Sequence, residues 1–129
     1  MAVVDRRRVE RWVAGYERAW RSPGTAGLVD LFTADVAYVP SPWADPVEGL
    51  DALAEFWEAE RRGHDEVFTM KAEVLAVEME TAVVRVDVEY EPPRTAWRDL
   101  WVLTFTMGER CRRFEEWPFA PGQPDGHVA

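Results

Sequence analysis

Between Val84 and Tyr90 apolar and charged residues alternate without a break. Val84, Val86, Val88 and Tyr90 fall on one parity, and Arg85, Asp87 and Glu89 fall on the other. A period of two predicts a strand with one buried and one polar face. Three more strands are predicted around it, over Val67–Val77, Trp97–Thr106 and Arg110–Phe119. Turns at Glu78–Thr81, Glu91-Pro92-Pro93-Arg94 and Met107-Gly108-Glu109 separate them. The first half of the chain has a different period. Val9, Trp12, Val13, Tyr16 and Trp20 recur at helical spacing behind Asp5, a suitable N-cap, and Ser22-Pro23-Gly24 ends that helix. Thr25 can cap a short second helix that turns Leu28, Leu31 and Phe32 to the core. A third helix is expected from Leu50 to Arg62, with Leu50, Leu53, Phe56 and Trp57 inward and Gly63 as its stop. Asp51 at its start and Arg61 and Arg62 at its end suit the helix dipole. Between these helices Val36–Val39 reads as a short strand. Pro40, Pro42 and Pro46 then rule out a regular ladder and make a rigid loop around Trp43.

Helices followed by an antiparallel meander make an α+β pattern. At 129 residues there is room for one core. We expect one domain over residues 5–119 and a tail over 120–129. The chain carries 24 acidic and 15 basic side chains, a net charge of -9, which argues against nucleic acid or an anionic membrane as partner. Arg6-Arg7-Arg8 is too short a basic run to change that. No apolar run reaches the ~20 residues of a membrane span. Cys111 is the single cysteine, so no intramolecular disulfide forms, and a free thiol fits a reducing cytoplasm.

The sequence calls for no cofactor and no metal. It has no glycine-rich phosphate loop and no dinucleotide fingerprint. His64 and His127 lie far apart, without partners at metal-ligand spacing. Cys111 has no histidine to activate it and reads as a small strand residue. What remains is an aromatic set with a few carboxylates. Tyr16, Trp20, Tyr38, Trp43, Trp57, Phe68, Trp101 and Phe114 sit on inward faces or on the rigid loop. They can be plain core. Seven tryptophans in so small a domain also tend to leave an aromatic concavity, since such rings rarely pack without gaps.

The first helix, Arg11-Trp12-Val13-Ala14-Gly15-Tyr16-Glu17-Arg18-Ala19-Trp20, precedes Asp35-Val36-Ala37-Tyr38-Val39-Pro40. Pro46-Val47-Glu48-Gly49-Leu50 and a helix through Phe56-Trp57 follow. Together they resemble a nuclear transport factor 2-like domain of the SnoaL-like branch. The resemblance covers roughly residues 5–119 and rests on the order of elements. It implies three helices packed on a strongly curved, mainly antiparallel sheet, forming a cone with an internal pocket. It also implies a homodimer.

Within that superfamily ketosteroid isomerase offers the best mechanistic comparison. Tyr16 falls where that enzyme has its oxyanion-hole tyrosine. Pro40 or Ser41 falls where it has its base, and Trp101 where it has a protonated aspartate. Two of three roles are therefore lost. Arg98 and Asp99 do not reproduce the Asp-Arg-Asp arrangement of limonene epoxide hydrolase. The histidine pair of scytalone dehydratase has no counterpart.

Parity then selects polar candidates. If Trp101 points inward, so do Asp99, Leu103 and Phe105. On the last strand parity alone is ambiguous, and the resemblance places Phe114 and Glu116 inward. Glu116 then becomes a carboxylate among aromatics, the setting that raises a pKa and makes a general acid or base. It can equally be a structural carboxylate paired with an arginine or a tyrosine hydroxyl.

Three functions stay open. The first is cofactor-free proton transfer on a small apolar or aromatic molecule, by isomerisation, dehydration or cyclisation. There Glu116 and Tyr16 act, and Trp20, Tyr38, Trp43, Trp57, Phe68, Asp99, Trp101 and Phe114 shape the site. The second is a non-catalytic binder, and the third an interaction module whose pocket its own tryptophans fill. Trp117, on the outer face with Glu115 and Arg113 and near Leu75, would anchor the homodimer unless the C-terminal tail covers it.

Overall fold

The computed structural model describes residues 3–61, 67–91, 94–124 and 126–127. Arg62 and Gly63 of the expected third helix end, His64, and Pro92-Pro93 of one expected turn lie outside the described residues. The elements are α1 (Arg6–Arg21), α2 (Leu28–Leu31), β1 (Phe32–Val39), β2 (Val47–Glu48), α3 (Leu50–Glu60), β3 (Val67–Glu78), β4 (Thr81–Glu91), β5 (Thr95–Phe105) and β6 (Cys111–Phe119). The architecture is α+β, with three helices and one six-stranded open sheet in the order β2-β1-β6-β5-β4-β3. All neighbours are antiparallel except β1 and β6, which run parallel. None of the helices is long and apolar enough to cross a membrane.

Helix α1 starts where its cap dictates, with Asp5 accepting from the Arg8 backbone N–H at 2.8 Å. It buries Val9, Trp12, Val13 and Tyr16 against the sheet. The Trp12 indole donates to the Leu31 carbonyl at 2.8 Å and meets Phe32 and Phe105 edge-on. These rings form the middle of the core, and each is worth roughly 2–3 kcal/mol on burial. Helix α3 begins at Gly49, whose φ of 89° only glycine adopts without strain, and whose N–H bonds the Val36 carbonyl.

Arg61, expected to complement the dipole of α3, instead turns across to α1. It is 7% exposed and donates to the carbonyls of Ala19 (3.3 Å), Ser22 and Gly24 (2.9 Å). The C-terminal carbonyls of α1 and of the loop after it are thereby satisfied by a side chain of α3.

Four expectations need correction. Helix α2 starts after Gly27 with no side-chain cap, so Thr25 does not cap it. Phe32 is the first residue of β1, not part of the second helix, and it pairs with Cys111 while remaining fully buried. The loop after Pro46 carries a two-residue strand, with Val47 opposite Tyr38 and Glu48 opposite Ala37. Proline 46 itself cannot donate to a ladder, but the two residues after it can. On β4, Val84 and Val86 are sealed, whereas Val88 and Tyr90 keep partial exposure. Arg85, Asp87 and Glu89 lie exposed on the opposite face.

Two β-bulges set the faces of the sheet. On β6, Thr104 pairs with Arg113 and Phe105 with Cys111, so Arg112 is an extra residue. The bulge switches parity, and Cys111 and Phe114 are both buried although their numbers differ by three. Glu116 follows Phe114 inward, and Trp117 points out, 39% exposed. On β3, Leu75 is the extra residue between the pairs Val74–Val84 and Ala76–Val83.

Candidate active site

One cavity of about 590 Å³ gathers most of the residues singled out in the sequence. Tyr16 and Trp20 come from α1, Tyr38 from β1, Trp57 from α3, Phe68 from β3, Asp99 and Trp101 from β5, and Glu116 from β6. Two expected members stand elsewhere. Trp43 is 98% exposed, at the outside of a turn closed by the Ala44 N–H on the Ser41 carbonyl. A rigid loop fixes a ring but does not aim it inward. Phe114 is fully buried behind the wall, not on it.

Phe114 nevertheless shapes the site. The rings of Tyr16 and Tyr38 lie parallel to it, at 5.6 and 4.5 Å between centroids. With both phenols held against one plate, their hydroxyls meet at 3.2 Å. Burial pushes both phenols well above their ordinary pKa, and the Glu116 charge adds to the effect in each. They stay protonated and can donate at neutral pH.

The carboxyls form a second pair. Trp101 lies opposite Glu116 across the β5–β6 ladder and Asp99 lies opposite Pro118, so Asp99 and Glu116 are diagonal neighbours on the inner face. Burial raises the pKa of both. For Glu116 the hydrogen bond with Asp99 and the charges of Asp99 and Glu60 raise it further. For Asp99 the contact with Glu116 works the other way and favours the ionised form. A hydrogen bond between two carboxyls needs a proton on one of them. The result is a pair of carboxyls held together in an aromatic enclosure.

Several buried polar atoms on the wall lack a partner among the described residues. They are Oδ1 of Asp99 and the indole N–H groups of Trp20 and Trp57. Unsatisfied buried groups are costly, and these converge on one cavity.

Other wall residues were not singled out, although signals existed. Trp97 shares the parity of Asp99 and Trp101, and Glu60 follows Trp57 by three positions on α3. Among the described residues no group of three or more His, Cys, Asp or Glu side chains could hold a metal ion. Cys111 lies in the core with its thiol pushed up to about 12 by burial, unsuited to act as a nucleophile. A second hollow of about 610 Å³ opens beside α1, walled in part by Arg8, Arg11, Arg18 and Arg110, and Trp57 separates it from the first.

Comparison with known proteins agrees with this geometry at the level of fold. A protein of unknown function with a cystatin-like fold from Methylobium petroleophilum PM1 superposes with a TM-score of 0.73 at 14% identity, covering 98% of this chain and 85% of that one. SalBIII, an epoxide hydrolase/cyclase-like enzyme of pyran ring formation in the polyether salinomycin, gives 0.70 at 19% identity, covering 89% and 93%. A ketosteroid isomerase-like protein from Erwinia carotovora atroseptica SCRI1043 gives 0.62 at 20% identity, covering 88% and 95%. At these identities the likeness is one of fold. No protein of curated function matches the chain. The sequence profile of the SnoaL-like domain matches residues 9–114, and with most of its length matched the chain belongs to the SnoaL-like domain family.

Proposed function

We propose that the cavity binds a small apolar or aromatic molecule within a cone-shaped fold and moves a proton on it without a cofactor. One observation carries this reading: a carboxyl pair and a hydroxyl pair line the same aromatic cavity. Glu116, its pKa raised by burial, gives its proton to a ligand oxygen or, once ionised, takes one from carbon. Asp99 favours the protonated form of Glu116 and so its return to the acid after each transfer. Tyr16, aligned by Tyr38 and Phe114, donates a hydrogen bond to the oxygen where charge develops. That chemistry suits an isomerase, dehydratase or cyclase. The names of two neighbours, an epoxide hydrolase/cyclase-like enzyme and a ketosteroid isomerase-like protein, fit it.

The second reading is a non-catalytic binder with the same cavity. The unpartnered indole N–H groups favour an occupied cavity under either reading. The protein would act as a homodimer paired through the outer face of the sheet, where Trp117, Leu100 and Phe119 are 39%, 40% and 48% exposed. Trp117 and Leu100 are direct partners across β5 and β6, so the patch is continuous.

The test uses oxygenated aromatic compounds in D2O, with proton exchange and product formation followed by NMR. Glu116→Gln should abolish turnover while leaving binding intact, and Tyr16→Phe should lower it by roughly 10²–10³-fold. Unchanged turnover in Glu116→Gln would refute the catalytic reading. Binding without turnover by the wild type would leave the binder.

A further inference from the structure

Every charged side chain on the wall of the main cavity, among the described residues, is acidic. Asp99 and Glu116 lie inside, with Glu60 and Glu91 from α3 and β4 on the same wall. No arginine, lysine or histidine among the described residues lines it. Arg21 comes near but sits on the face of Phe68, its guanidinium carbon 3.8 Å from the ring centroid, and it donates to the Phe68 carbonyl. Arg61 is spent on the carbonyls after α1. The other arginines that line a hollow face the second one, beyond Trp57.

A cavity with this sign repels anions. A carboxylate or phosphate entering it would meet four carboxyl groups and no counter-charge among the described residues, in a partly desolvated site. A cation meets the reverse. The wall presents Tyr16, Trp20, Phe56, Trp57, Trp97 and Trp101, aromatic rings whose faces attract positive charge. Arg21 on Phe68 shows that attraction already in use within the protein. The independent sign of a missing partner is Asp99. It is 6% exposed, and its Oδ1 has no hydrogen-bond partner among the described residues.

We infer that the occupant of this cavity carries a cationic nitrogen, a substituted ammonium held between the aromatic faces and the Asp99–Glu116 end, and that carboxylates and phosphates are excluded. The inference rests on the reading of this cavity as the ligand site, and it adds the charge of the ligand. The indole N–H groups then serve neutral oxygen acceptors elsewhere on the same molecule.

The experiment compares three probes of one size on the full chain: benzyltrimethylammonium, neopentylbenzene as its uncharged isostere, and phenylacetate. Binding is followed by the indole N–H signals in NMR. The cation should bind about tenfold tighter than the isostere, with phenylacetate weakest. The preference should shrink severalfold in Glu60→Gln, which alters an exposed residue and keeps the fold, and vanish in Asp99→Asn/Glu116→Gln. Equal or tighter binding of the neutral isostere, or tightest binding of phenylacetate, would overturn the inference and leave the ligand site standing. Absence of binding by all three at millimolar concentration would overturn the ligand site as well.

Discussion

Replacing Arg61 should be the most damaging single change outside the central core. Its side chain is 3% exposed and bridges the C-terminal ends of two helices. It gives charge-assisted hydrogen bonds to three carbonyls, those of Ala19, Ser22 and Gly24. A fourth contact, to Trp20 at 3.5 Å, is marginal, and the partner Glu58 is half exposed and adds little. Each bond of this kind is worth roughly 1.5–3 kcal/mol, and three on one guanidinium do not add. Ser22 and Gly24 are exposed, so water recovers part of the loss at their carbonyls. Arg61→Met, which keeps volume and removes all donors, should therefore cost about 3 kcal/mol. For a domain of 129 residues at about 2.1 cal/mol/K per residue, that lowers Tm by about 11 °C. Arg61→Lys, with a point charge that reaches one or two carbonyls, should cost about half as much. Urea midpoints and calorimetry measure both. A loss below about 1 kcal/mol in Arg61→Met would mean that water already serves these carbonyls, and the bridging argument would fail.

The remaining expectations concern single groups. Glu116 has a folded-state pKa above its unfolded one, so its favourable contribution is complete below the unfolded value and is lost as pH rises through the folded value. Glu116→Gln should then be more stable than wild type at pH 8 and lose that advantage at pH 4, and a constant difference in urea midpoint across that range would contradict the burial argument. Cys111, with its thiol near 12, should resist a disulfide reagent at pH 8 and react only at the rate of unfolding; fast labelling of native protein would show the core to be open there. Trp43→Ala should shift stability by less than about 0.5 kcal/mol and leave ligand binding unchanged, since the ring is 98% exposed. Trp117→Ala should weaken self-association in sedimentation velocity by tenfold or more, and a wild-type monomer at micromolar concentration would remove the dimer altogether.

Period-two alternation placed Val84 and Val86 correctly, because local patterning and burial agree along β4. The inward turn of Glu116 was not legible from parity. Arg112 is an extra residue, and nothing in Arg110-Cys111-Arg112-Arg113 announces a bulge, so Cys111 and Phe114 look like opposite faces until the pairing is seen. Phe32 fits a helix face or a strand start equally well, and its pairing with a residue near the end of the chain decides the matter. Phe114 was legible as inward but not as backing, since depth depends on which rings lie in front of it. Arg61 illustrates the same limit. Its place at the end of α3 was plain, but the carbonyls it serves belong to another helix.

The parallel seam between β1 and β6 has a consequence for the order in which the chain can fold. It joins Phe32 to Cys111 and Tyr38 to Phe114, so the strand carrying the first aromatic cluster has only the two-residue β2 beside it until β6 exists. On the ribosome, α1, α2 and β1 emerge first and must wait, with Trp12, Tyr16 and Phe32 lacking the strand that covers them. The β3–β4–β5 meander is local and can pair as it appears. Strand β6 then closes both halves at once. Loss of the chain from Arg113 onward should therefore leave an unpaired aromatic half rather than a slightly shortened domain, and late, cooperative closure of this kind is slow because the contacts it needs are so distant in sequence.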